Sequence, residues 1–282
     1  MNEPRSGVEQ VNGIALAYRH WPEPRRAHRP PAVLLHGLLQ TGAGMAHLAE
    51  QLALDREVLA PDLRGRGDSE QPRDGYDPET MADDVAALIA SLRIERPVLI
   101  GRLHGGLIAY HLAARRPDLV SGVVLGDATP EVSEERAASL FASVDALPRS
   151  FSSLDEAMRF YEEGLRLSPD RARHDMPSDL EPDGNGGFRW RHNLDVVGRI
   201  ARATLPRSDW DVLGRVQCPA LILRGQRGQI RDEIAERMLR TMPRARSQVI
   251  YGSRYDVFLG PGSEQTVAAI QLFLFGLGAP EG

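Results

Sequence analysis

Lysine is missing from this chain of 282 residues: all 34 of its basic residues are arginine. Schiff-base chemistry and lysine general bases are thereby excluded, since both need an amine that sheds its proton near neutrality, and a guanidinium keeps it. Cysteine is almost missing too. The single Cys218 permits no intrachain disulfide, and its place in VQCPALIL, just ahead of an apolar run, is that of a small buried hydrophobe. A reactive thiol needs an electropositive, accessible setting. No apolar run reaches the ~20 residues of a membrane-spanning helix, and a net charge of −5 offers no basic footprint for nucleic acid. The eight histidines include no His-x-x-x-His pair, so no metal site is expected. The stretches GRGDS and GNGG lack the strand-to-helix setting of a nucleotide fingerprint, so no cofactor is expected either. The opening MNEPRSGVEQ has neither the basic start nor the apolar core of a signal peptide. These exclusions leave a cytoplasmic protein, monomer or homodimer, whose partner is a small molecule and neither nucleic acid nor membrane.

Hydrophobic residues make up 42% and charged residues 26% of the chain, enough apolar material for one large α/β domain with an insertion. Short apolar runs alternate with longer amphipathic ones. IALAYRH (14–20), AVLLHG (32–37), EVLAPD (57–62), PVLIG (97–101), GVVLGD (122–127), ALILRG (220–225) and SQVIYG (247–252) read as strands of a mainly parallel sheet covered by helices. DPETMADDVAALIASL reads as a helix capped by Asp77, with Pro78 at its first position and Met81, Val85, Leu88, Ile89 and Leu92 facing the sheet. The alternation stops at Pro130 and resumes after Asp209, and the intervening composition is charged. The expected organisation is a core domain of residues 1–129 and 210–282 with a mostly helical cap insertion, residues 130–209, over the carboxyl ends of the strands.

Three local patterns carry chemistry: LLHGLL (34–39), PDLRGRGDS (61–69) and IGRLHGG (100–106). In the third, a strand ends in glycine, turns and starts a helix, with Leu103 at the tip. In this order and spacing the three resemble motifs of the α/β-hydrolase family. LLHGLL stands for its His-Gly turn, PDLRGRGDS for its Asp, Arg-Gly, Gly and Ser signature, and IGRLHGG for its Gly-x-Ser-x-Gly nucleophile elbow. The resemblance covers the chain except the insertion, where the family carries its variable cap. It implies a twisted, mainly parallel sheet flanked by helices, and an oxyanion hole from the backbone N–H groups of Leu38 and His104. It also implies a nucleophile at position 103, an acid after ALILRG and a histidine after the last strand. The residues found there are Leu103, then Gly228 and Gln229, then Tyr255 beside Arg254. Between residues 94 and 117 there is no serine or cysteine, Glu95 is the sole acid, and the last histidine of the chain is His192. Neither a shifted elbow nor a downstream base restores the triad on this reading, and an alkyl side chain cannot attack a carbonyl.

Candidates of another kind remain. His104 is the leading titratable group, because an imidazole is neutral and basic near pH 7; the alternative is that it packs beside its helix. Asp127 orients an imidazole, binds a substrate donor, or caps the turn DATPE. Tyr255 offers a phenol for hydrogen bonding or fills the space of an imidazole. Arg102 and Arg254 attract an anionic substrate or reach solvent. In FRWRHN, Phe188, Trp190 and His192 alternate, so an extended segment would set them on one side, lining a pocket roof or anchoring the cap. Leu103 would extend an apolar ligand site. Three functions stay open. The first is a cofactor-free, non-hydrolytic enzyme performing cyclisation, isomerisation, decarboxylation or elimination on a small apolar metabolite, as in bacterial secondary metabolism. The second is a non-catalytic ligand-binding protein, and the third an atypical or engineered hydrolase activating water through His104 and Asp127. The first ranks ahead because preorganisation and charge stabilisation need no nucleophile.

Overall fold

The computed structural model describes residues 3–22, 29–165, 169, 172–173, 176, 179–253, 257–258 and 263–277. The chain begins with strands Arg5–Val11 (β1), Ile14–Trp21 (β2) and Ala32–Leu35 (β3), helix Ala46–Leu52 (α1) and strand Val58–Pro61 (β4). Helix Pro78–Ser91 (α2), strand Val98–Arg102 (β5), helix His104–Arg115 (α3) and strand Gly122–Gly126 (β6) follow. Next come Glu131–Val132 (β7), Glu134–Asp145 (α4), Ser150–Phe151 (β8), Leu154–Arg159 (α5), Leu180–Pro182 (β9), Phe188–Trp190 (β10), Leu194–Thr204 (α6) and Arg207–Ser208 (β11). Trp210–Leu213 (α7), Ala220–Arg227 (β12), Asp232–Thr241 (α8), Ala245–Ser253 (β13) and Ser263–Leu277 (α9) complete the order.

Eight strands form one sheet in the order β1-β2-β4-β3-β5-β6-β12-β13. The pairs β1–β2 and β2–β4 are antiparallel, and the remaining pairs are parallel. Single strands explain the layering. In β3, Val33 and Leu35 enter one core while Ala32 and Leu34 enter the other, and all four are fully buried. Successive side chains of a strand point to opposite faces, so a strand covered on both sides has to be apolar throughout. One face is covered by α2, α3, α7 and α8, the other by α1 and α9. α2 starts as its sequence dictates, with Asp77 accepting the Thr80 N–H at 2.8 Å and Pro78 in the first turn. The strand β1 lies outside the expected set, since its RSGVEQV is mostly exposed and polar and pairs only along β2.

From β3 the chain runs outward to β4, then returns past β3 to β5 and on to β6. Connections leaving neighbouring strands in opposite directions open a crevice at their carboxyl ends, where open α/β sheets take ligands. The segment from β7 to β11 has its own aromatic core, including Phe151, Tyr161 and Trp190. Besides helices it contains a three-stranded sheet, β8-β10-β9, which the sequence does not announce because strands of two or three residues are too short to show alternation. The two ends of the segment meet: β7 and β11 pair antiparallel, Glu131 opposite Ser208 and Val132 opposite Arg207. Among the described residues no helix is long and apolar enough to cross a membrane.

One buried ion pair ties the loop after β4 to α2. Arg64 donates to Asp84 twice, Nε to Oδ2 at 2.6 Å and Nη2 to Oδ1 at 2.7 Å, and Asn12 Nδ2 adds a third bond to Oδ1 at 2.7 Å. Removing one member strands a charge away from water. Asp84→Ala is therefore expected to lower the free energy of unfolding by about 3–5 kcal/mol, read from urea denaturation of both proteins at neutral pH.

Candidate functional site

The crevice between β3 and β5 leads into a cavity of about 350 Å³, the scale of a small metabolite site. The strand ends contribute Leu38, Leu103, His104 and Asp127, and the segment between β6 and β12 contributes Arg136, Leu140, Val144, Tyr161 and Arg207.

At its centre one residue makes the whole strand-to-helix turn. β5 ends at Arg102, α3 begins at His104, and Leu103 between them has φ 48° and ψ −110°. That conformation costs a side-chain-bearing residue about 1–3 kcal/mol. The surroundings impose it. The Leu103 N–H donates to the Gly126 carbonyl at 2.8 Å, and its carbonyl accepts from Gly106 and Leu107 at 3.0 and 3.1 Å. Gly105 lies against the Leu35 carbonyl so closely that a Cβ there would collide with it. The turn is thus held by backbone, whatever occupies the tip. Beyond it, the first N–H groups of α3 have no intrahelical acceptor, and the helix adds positive potential at that end.

Three buried histidines, His36, His104 and His192, are held neutral. His36 bridges two loops, pairing through Nδ1 with the Gly37 carbonyl at 2.9 Å and accepting the Leu63 N–H on Nε2 at 3.0 Å. Burial pushes its pKa down to about 3 against the pull of the Gly37 carbonyl. His104 lines the cavity, and its Nε2 is shut off from solvent without a hydrogen-bond partner. Burial first, then Arg66, His36 and Arg207, hold it well below the usual histidine range. Arg66, which sequence reasoning passed over inside RGRG, is fully buried, donates Nε to the Leu38 carbonyl at 2.7 Å, and has its own pKa lowered by desolvation to about 9. It fixes the loop carrying Leu38 and supplies the positive charge.

Asp127 follows β6 on the cavity wall. At φ 49°, its carboxylate accepts the backbone N–H groups of Gln229 at 2.8 Å and Ile230 at 3.4 Å, clamping the loop after β12. Arg102 does not reach solvent, being 3% exposed and on the cavity wall. Trp190 and His192 are outside the lining. Trp190 is drawn into the aromatic core, with Nε1 donating to the Pro148 carbonyl at 2.7 Å and its ring stacked on Tyr161 at 6.0 Å. His192 packs on Trp190 at 5.6 Å with neither ring nitrogen bonded, and burial takes its pKa to about 3. Tyr255 and Arg254 lie outside the described residues. No local pattern marks Arg136, Arg207, Tyr161 or Asp179, which meet only through tertiary structure. Among the described residues no group of three or more His, Cys, Asp or Glu is placed to hold a metal ion.

The histidines fix a sign for the pH dependence of stability. Their folded pKa values lie below the ordinary histidine value, so below about pH 6.5 the unfolded chain binds protons that the folded chain refuses. Stability is complete above that pH and declines toward pH 3, by up to about 1.4 kcal/mol per pH unit for each group. Urea midpoints are expected to fall from pH 7 to pH 5, and His192→Phe to flatten that slope by one group's share.

The description alpha/beta hydrolase fold matches residues 30–230. The chain is 28% identical over 258 residues to the 3-hydroxybutyrate-oligomer hydrolase of Cupriavidus necator, covering 84% of this chain and 87% of that one. It is 31% identical over 204 residues to the 2-(acetamidomethylene)succinate hydrolase of Mesorhizobium japonicum, with 71% and 72% covered. The crystal structure of E-2-(acetamidomethylene)succinate hydrolase matches with a TM-score of 0.86 at 26% identity, covering 96% of this chain and 99% of that one. Sheet order, the one-residue turn before α3 and these likenesses agree: this protein belongs to the α/β-hydrolase fold family.

Proposed function

We propose that this protein takes a small molecule into the cavity and transforms it without a covalent acyl-enzyme, by a cofactor-free, non-hydrolytic reaction of the cyclisation, isomerisation, decarboxylation or elimination type. The observation that carries this reading is Leu103 in the strained turn, with the cavity beside it intact. On this reading Leu103, Gln229 and Tyr255 stand where the family's nucleophile, acid and histidine belong. The relatives are named hydrolases, and Leu103 separates this chain from a serine-based version of their chemistry, because a hydrocarbon forms no tetrahedral adduct.

The backbone supplies what remains. The N–H groups of Leu38 and His104 hold a developing enolate or polarised carbonyl, a contribution that needs no nucleophile. His104, kept neutral by burial and by its arginine neighbours, uses its unpartnered Nε2 to exchange a hydrogen bond or a proton with the bound molecule. Activation of water by a His104–Asp127 couple finds less support, since the Asp127 carboxylate is engaged by the N–H groups of Gln229 and Ile230.

Incubation of the protein with a metabolite extract, followed by mass spectrometry, is expected to show a compound converted without change of mass or with loss of carbon dioxide or a small acid. Gain of water would overturn the reading. Leu103→Ser is expected to leave p-nitrophenyl ester cleavage at background and to show no acyl adduct by intact mass. Turnover by that single variant would mean that a base and an acid are present after all.

A further inference from the structure

Resting on the reading of the cavity as a small-molecule site, we infer that its ligand bears a carboxylate, and that Arg207, positioned by Asp209, is the group that anchors it, with Arg136 as a second contact. Among the described residues, the guanidinium groups of Arg102, Arg136 and Arg207 line the cavity together with the acids Asp127 and Asp179. Both acids accept hydrogen bonds from the protein, Asp127 from Gln229 and Ile230, Asp179 from the Tyr161 hydroxyl at 3.0 Å. A wall of this kind favours an anion over the apolar ligand expected from sequence alone.

Arg207 is held in the manner of a binding group. It lies in β11, where the segment covering the site closes on β7, and its Nη2 donates to the Thr129 carbonyl while its Nε is 3.0 Å from Asp209 Oδ2. Asp209 is itself fixed by the Tyr110 hydroxyl of α3 at 2.6 Å and is 3.4 Å from His111 Nε2, so it shares its charge among several partners. The arginine side chain is only 13% exposed. Of its five N–H groups these contacts use a part, and the fork keeps donors for a planar carboxylate, which a guanidinium matches in shape. Arg136, on the first turn of α4, donates Nη2 to Gln229 Oε1 at 3.1 Å and is otherwise exposed. In the same cavity the unpartnered His104 Nε2 meets the remainder of the ligand. A carboxylate at Arg207 therefore fixes one end of the molecule and leaves its other end to the turn at Leu103.

The test is binding of acetate, butyrate, succinate and adipate against acetamide, butyramide, succinamide and adipamide, and against inorganic phosphate, at constant ionic strength by calorimetry. At least one acid is expected to bind, its amide roughly tenfold or more weaker, and Arg207→Gln to weaken the acid by roughly tenfold or more. Arg136→Gln is expected to weaken it by a smaller factor; at its exposed position it leaves folding unchanged and carries the test if Arg207→Gln does not fold. Absence of acid binding, equal binding of the amides, binding of phosphate alone, or unchanged affinity in the folded arginine variants would each overturn the inference. Hydrolysis of an amide probe to its acid and ammonia would overturn the non-hydrolytic reading and leave this one standing.

Discussion

Everything at the site depends on two backbones coming within atomic contact. Gly105 of α3 lies on the Leu35 carbonyl of β3, and no side chain fits between them. That approach sets the start of α3 directly over the carboxyl edge of the sheet, leaving the chain a single residue in which to reverse. The strain at Leu103 is the result, and it is spread over hydrogen bonds to Gly126, Gly106 and Leu107 that involve no side chain. A turn built this way is indifferent to the chemistry of its tip. The turn holds its shape under an alkyl group, together with a helix end poised toward negative charge.

A chain without lysine has to make its buried cationic contacts with arginine, and this one does so repeatedly: Arg56, Arg64, Arg66 and Arg102 are all less than 6% exposed. The guanidinium suits that task because its donors fan out and can satisfy several carbonyls or both oxygens of a carboxylate at once. Arg64 pins α2 through Asp84, and Arg66 pins the loop of Leu38. The second has an electrostatic effect as well: burial is the main force that keeps His36, His104 and His192 uncharged, and the Arg66 cation adds to it.

The parts of the fold legible in the sequence are those written in local periodicity. The strands buried on both faces, the capped α2 and the turn at Leu103 all follow from residues within a few positions of one another. What escaped was non-local or short. β1 is too polar to read as a strand until β2 lies beside it, and the strands of the small sheet span two or three residues each. Arg207 reaches the cavity because β11 pairs with β7 from the far end of the segment. Trp190 was visible as a candidate, yet whether an aromatic ring faces a ligand or a neighbouring ring depends on partners such as Tyr161 and Phe151 that sequence spacing does not fix.

The pairing of β7 with β11 also bears on how such a protein changes over evolutionary time. The ends of the long segment above the site are already joined, with the Asp209 N–H bonded to the Pro130 carbonyl at 2.8 Å beside them. Lengthening or shortening what lies between alters the closure entropy only by its weak logarithmic dependence on length. The sheet below is blind to that exchange. A lineage can therefore replace the part of the cavity lining that lies between Val132 and Arg207 as one cassette, keeping the turn at Leu103 and its carbonyl-bound neighbours in register while the preferred molecule shifts.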